Sequence, residues 1–208
     1  MFRNLLRPDN PLMITLNQIT DVIFLSLFWL ICCFPLVTAG ASTAAMYDAV
    51  YHTFRKGEKH SWQRFVQSFR KNLKGSLLTS VIFLAILLGM ATGLIRVWNS
   101  AVYGNISWGL FAAAAFLAFV CVGILSILFP MHSRFDNLPA ALWGNTIRLG
   151  LAKLPFSLGL AFVNTLSAFL CIRYLFPLFF LPGLACLIDT LFIEPMFKPF
   201  MPEEEIEE

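Results

Sequence analysis

Few residues in this sequence could carry chemistry. Three histidines, His52, His60 and His132, and five cysteines, Cys32, Cys33, Cys121, Cys171 and Cys186, are the obvious metal ligands, bases or nucleophiles. His52 and His60 are eight residues apart across a glycine turn, and neither falls in an HExxH or Cys/His zinc spacing. Every cysteine sits in an apolar stretch and there is no CxxC, so they read as reduced, buried, small hydrophobes. The chain holds no GxSxG, Walker or GxGxxG motif. The expectation is a non-enzymatic protein with no catalytic, metal-binding or cofactor-binding residues, and therefore no cofactor.

The remaining polar groups of interest lie within or beside apolar runs, where an ionisable side chain is costly and marks pairing or function. They are Asp21, Arg96, Arg173 and Asp189, joined by Asn164, which can hydrogen-bond between helices. Arg96 and Arg173 read most simply as side chains snorkelling to an interface. Asp21 could pair with one of these arginines. Asp189 and Asn164 are the best candidates for a group facing a water-filled or substrate-binding space.

The elements that must position these groups follow from composition. Of 208 residues, 58% are hydrophobic and 13% charged, and the mean hydropathy is +0.74. A soluble domain has about 45–50% apolar and about 25% charged residues. Thirteen per cent cannot cover a globule of this size with polar surface, which excludes an ordinary cytosolic enzyme and a disordered chain and leaves an integral membrane protein. The formal charge of +3 conceals an acidic tail at 203–208; without its five glutamates, fifteen Lys and Arg face seven acids, leaving +8. The first apolar run is too long for a signal peptide and lacks a clear cleavage site.

A span needs about 20 mainly apolar residues. Five stretches qualify, at about 18–36, 76–98, 107–130, 154–173 and 175–194, the last interrupted by Pro177, Pro182 and Asp189. The fold class is therefore all-α, a polytopic transmembrane helix bundle forming one domain over 1–208. The connections after the first and third spans, with Lys198, hold eleven Lys and Arg against four on the other side. The positive-inside bias puts the C-terminus in the cytoplasm and, with five crossings, the N-terminus outside. A re-entrant first span would bring the N-terminus inside, and Arg3 and Arg7 favour that. Five crossings also place Asp21 near the face that holds Arg96 and Arg173.

The first connection has a pattern of its own. Trp62, Phe65, Val66, Phe69 and Leu73 recur at helical spacing, while Arg64, Arg70, Lys71 and Lys74 fall largely on other faces. Ser61 could cap this helix. A basic amphipathic helix beside a span suits the lipid interface or a protein partner, and its closeness to the bilayer argues against nucleic acid. Upstream, Ala39 to Arg55 is also helical in pattern, starts with unusually small residues that permit close helix approach, and is followed by Gly57. Phe34-Pro35 and Phe129-Pro130 each close a span and each precedes a basic amphipathic helix, which suggests a weak tandem repeat of span, stop, helix and span.

Several of these residues stand in a familiar order: Asn10-Pro11-Leu12, Asp21, the run Trp29 to Ala41 with Phe34-Pro35 at its centre, Ala45-Met46-Tyr47, the turn Arg55 to Glu58, and Phe65-x-x-Ser68-Phe69-Arg70-Lys71-Asn72. The order resembles the YesL family of small bacterial membrane proteins, also filed as a domain of unknown function, most strongly over residues 10–80. The family has no established activity, so the resemblance transfers no site residues. Its genes are often found beside carbohydrate ABC-transporter and sensor genes, which implies an accessory or regulatory role in carbohydrate uptake. The bilayer and transporter components, or a second copy of the chain, are then the expected partners. A small membrane transporter or channel for a small solute is the alternative.

Overall fold

The structure is a computed structural model that describes residues 11–104, 107–135 and 138–200, with side chains from residue 17 onward. The acidic tail at 203–208, Arg3, Arg7 and Asn10 lie outside the described residues. The described chain is helical throughout, as the sequence expects.

The first helix, α1 (Pro11–Cys33), stops at Phe34-Pro35, where the proline disfavours helical backbone in the residue before it. A single 3-10 turn, Leu36–Thr38, reverses the chain. The Thr38 hydroxyl donates to the Cys32 carbonyl at 2.6 Å, satisfying one of the acceptors left open at the helix end. The chain then returns as α2 (Ala39–Phe54), whose first residues are small and buried. Trp29 Nε1 donates to Thr43 Oγ1 at 3.1 Å and Ser42 Oγ donates to the Trp29 carbonyl at 3.1 Å, so α1 and α2 are stitched together beside the turn. Gly57, at φ 69°, ends the hairpin in the left-handed region that glycine tolerates best.

The next helix, α3 (Ser61–Val102), runs unbroken for 42 residues. The basic amphipathic stretch and the second span are thus one rod. Gly75 lies at their junction, but one glycine costs a helix only about 1 kcal/mol and there is no proline to stop it. At Gly75 a Cβ would lie 3.3 Å from the His132 ring, so the glycine serves close packing. Ser61 does not cap the helix. His60 holds the N-cap position with φ 80° and makes no side-chain capping hydrogen bond, and the Ser61 hydroxyl donates to Asp21 Oδ1 at 2.7 Å.

That bond corrects the topology of the first span. Ser61 and Arg96 are 35 residues apart on one helix, about 52 Å at 1.5 Å per residue. Asp21 therefore lies at the opposite end of the bundle from Arg96 and pairs with Ser61, not with an arginine. The first apolar helix and α2 form a hairpin whose two arms meet the bundle at the same end.

After α3 come α4 (Trp108–Leu125) and a short continuation, α5 (Leu128–Arg134), then α6 (Pro139–Ala152) and α7 (Leu154–Arg173). Among the described residues, three helices are long and apolar enough to cross a membrane: Ser61–Val102, Trp108–Arg134 and Leu154–Arg173. They cover the expected spans 76–98 and 154–173 and, but for Ser107 at its N-cap, 107–130. The fifth expected span is divided. Pro177 and Pro182 each open a new helix, giving a 3-10 turn at Phe176–Phe179 and a 17-residue α8 (Leu181–Phe197). Three helices of spanning length and shorter apolar helices stand where five crossings were expected, and the divided segment after Arg173 brings the chain back to Glu194, which pairs with Arg134. No tandem repeat is shown, for Phe34-Pro35 separates α1 from its turn whereas Phe129-Pro130 lies inside α5.

The core gathers where α2 meets α3, α5 and α8, around Tyr47, Phe65, Ile127, Leu128, Met196 and Phe197. Gly40 and Gly123 let helices touch: a Cβ at Gly40 would meet Ser80 and Phe129, and one at Gly123 would strike the Ser157 carbonyl. The outward faces of α3, α4 and α7 expose Leu88, Ile95, Leu117, Phe162 and Phe169. So large an exposed apolar surface is what a bilayer covers. Trp98, Trp108 and Phe111 cluster edge-to-face where α3 turns into α4, as in an interfacial aromatic belt.

Candidate functional site

Three polar features stand out against this apolar frame: an exposed basic face on α3, a pair of ion-pair networks at the same end of the bundle, and a cavity between the helices.

The first four turns of α3 divide by face. Phe65 is 1% exposed and packs against Phe28 and Phe69, with ring centroids 5.9 and 6.2 Å away. Ser68 and Asn72 are buried on the same face and bonded to each other at 3.2 Å. On the other side Trp62, Arg70, Lys71 and Lys74 are exposed. The apolar stripe expected from spacing is thus mostly an inward face, with Trp62 left at the surface.

Arg64 is also turned inward, toward a partner that spacing alone did not reveal. Its Nε donates to Asp48 Oδ2 at 2.8 Å, and its Nη2 donates to Asp48 Oδ1 at 3.3 Å and to His52 Nε2 at 2.9 Å. A guanidinium can only donate, so His52 Nε2 accepts and Nδ1 carries the ring proton. Nδ1 sits 3.2 Å from Asp48 Oδ1. Burial pushes the Asp48 carboxyl up, but the hydrogen bonds from His52 and Arg64 outweigh it and hold the group below its ordinary value. The sequence signal was available: Asp48 is the one carboxylate on α2, four residues before His52.

A second network ties α2, α5 and α8. Arg134 Nη2 donates to Glu194 Oε1 at 3.1 Å, and the Tyr47 hydroxyl donates to the same oxygen at 2.7 Å. The Arg134 guanidinium carbon lies 3.5 Å from the Tyr51 ring centroid, a cation–π contact. Both ionic side chains are nearly buried. Sequence reading missed Glu194, which stands as the last residue of the expected span 175–194 and so read as its polar boundary.

Asp189 and Asn164, singled out by their position in apolar runs, are brought together. Asn164 Nδ2 donates to Asp189 Oδ2 at 2.9 Å and to the Leu160 carbonyl at 3.0 Å. Asp189 is 8% exposed, and its Oδ1 has no hydrogen-bond partner among the described residues. Both side chains line a cavity of about 410 Å³, with Trp29, Tyr47, Phe83 and Phe129 among its walls. Arg96 and Arg173 join none of these sites. Both are exposed, and Arg173 lies 5.7 Å from the Tyr174 ring centroid. Among the described residues no three of His, Cys, Asp and Glu gather as a metal site.

The fold and these surfaces define a multi-pass α-helical membrane protein. Residues 22–93 match the family DUF624, described as a protein of unknown function, so a DUF624 domain is present over that part of the chain. The match runs from α1 through α2 into α3 and agrees with the resemblance carried by residues 10–80. No curated protein and no solved structure gives a match.

Proposed function

We propose that the protein is a non-enzymatic accessory partner of carbohydrate uptake, built as one membrane domain and docking on a transporter subunit through the basic face of α3. The observation that carries this reading is the split of the first turns of α3. Phe65, Ser68 and Asn72 bind the helix to the bundle, while Trp62, Arg70, Lys71 and Lys74 stand exposed. Exposed aromatic and arginine side chains are enriched in binding surfaces, and a basic face beside a bilayer complements an acidic partner and anionic headgroups. The same basic bias assigns this end of the bundle, and with it the C-terminus, to the cytoplasm. The carbohydrate connection comes from the family resemblance.

The test is purification from native membranes in mild detergent, comparing the wild type with the Arg70→Glu/Lys71→Glu variant. Permease subunits recovered with the wild type and lost with the variant support the reading. Equal recovery with both removes the docking face. Recovery of the chain alone, as monomer or homo-oligomer, removes the accessory role and leaves transport of a small solute.

A further inference from the structure

We propose that the cavity between α1, α2, α3, α4, α5, α7 and α8 is a binding site for a small organic ammonium ion, a primary amine on an apolar body, held by Asp189. The site is independent of the docking face on α3.

The argument begins with charge. Asp189 is 8% exposed, and only one of its oxygens is bonded, to the Asn164 amide at 2.9 Å. Its Oδ1 is buried with no hydrogen-bond partner among the described residues. A buried carboxylate without a counter-charge is expensive, and buried charges are normally paired. The residues lining the cavity include no Lys, Arg or His. The chain thus offers Asp189 a neutral amide on one side and nothing on the other, and a cation entering the cavity completes the pair.

The rest of the cavity selects the body of that cation. About 410 Å³ falls within the range of small-molecule pockets. Trp29, Tyr47, Phe83 and Phe129 supply aromatic faces, which attract ammonium groups and cover apolar carbon alike. Met46, Leu87, Leu125 and Leu178 complete an apolar wall that gives a hydrated metal ion no oxygen ligands beyond the few polar side chains. A primary amine, with three donors on one charged nitrogen, suits a buried carboxylate at the cavity wall that has one oxygen without a partner among the described residues.

The experiment uses the full chain in lipid nanodiscs. Calorimetry, with empty nanodiscs subtracted, compares 4-phenylbutylamine with the neutral 4-phenylbutanol of nearly the same shape. The expected result is saturable binding of the amine at least tenfold tighter than the alcohol. In Asp189→Asn, which keeps size and the link to Asn164, that preference should vanish. Ala168→Phe, which fills the cavity, should abolish binding of both while leaving the thermal melt cooperative. Equal affinity for amine and alcohol in the wild type overturns the proposal without recourse to any variant. So does an amine that binds Asp189→Asn as tightly as wild type, or no saturable amine binding at all.

Discussion

Arg64 reaches across the Gly57 turn from α3 to grip Asp48 on α2, with Nε 2.8 Å from Oδ2. The pair sits at the end of the hairpin and fixes the angle at which α3 leaves it. His52 is the third member, sharing both partners. Because the Asp48 carboxyl is held below its ordinary value, its contribution to stability has a definite sign. It is fully present above the ordinary value of 3.8 and is lost as pH falls through the lower folded value. Asp48→Asn should cost about 1–3 kcal/mol at neutral pH. Its melting temperature in detergent should approach that of wild type in acid below pH 3.8. A gap that stays constant across this range would show that the carboxylate charge contributes nothing.

The buried Arg134–Glu194 pair should behave differently from a surface bridge. Removing one partner strands the other charge, at a cost of about 3–5 kcal/mol. Removing both together is much milder. Arg134→Met should therefore lower the thermal midpoint more than the double variant Arg134→Met/Glu194→Leu. A double variant as unstable as the sum of the singles would mean that the two side chains do not act as a pair.

Close helix approach makes Gly123 intolerant of a side chain and leaves Gly89 free to take one. At Gly123 a Cβ would strike the Ser157 backbone carbonyl, which cannot rotate away. Gly123→Ala should cost about 1–3 kcal/mol by overpacking. Gly89→Ala, where a Cβ meets nothing within 4 Å, should be neutral or slightly stabilising in the same melt.

The hairpin can be tested by labelling. With native cysteines replaced by serine, Asn17→Cys and Lys74→Cys should react with an impermeant maleimide from the same side of a sealed vesicle. Tyr103→Cys should react from the other. Labelling of Asn17→Cys together with Tyr103→Cys would restore a crossing first span.

Much of the helical layout was legible in the sequence because apolar windows and basic loops are strong, local signals. The spans at 76–98, 107–130 and 154–173 followed from length alone. What was not legible depended on long-range pairing. The first apolar run is long enough to cross, and only the contact of Asp21 with Ser61, forty residues away, shows that it starts at the end where α3 begins. The division of 175–194 was signalled by Pro177 and Pro182, but composition treats a broken helix like a whole one. Asp189 and Asn164 were each visible as polar groups in apolar surroundings, and their pairing was not, since it needs α7 and α8 to pack. Arg64, grouped by spacing with the exposed basic residues, instead pairs with Asp48 at the end of the hairpin.

The continuity of α3 gives the protein a mechanical property. Helices bend sharply at prolines, at Gly/Ser pairs, at bulges or where a side chain or water enters the hydrogen-bond ladder; α3 contains no proline, and it runs as one helix through its Gly75-Ser76 pair. Its 42 residues make a strut of roughly 63 Å, about twice the thickness of the hydrocarbon. A load applied at Lys71 meets one place of this kind before the span, Gly75-Ser76, where the His132 ring packs 3.3 Å from a Cβ placed on Gly75. With the helix held straight there, tilt at the basic end would reach the Trp98 cluster at the far end.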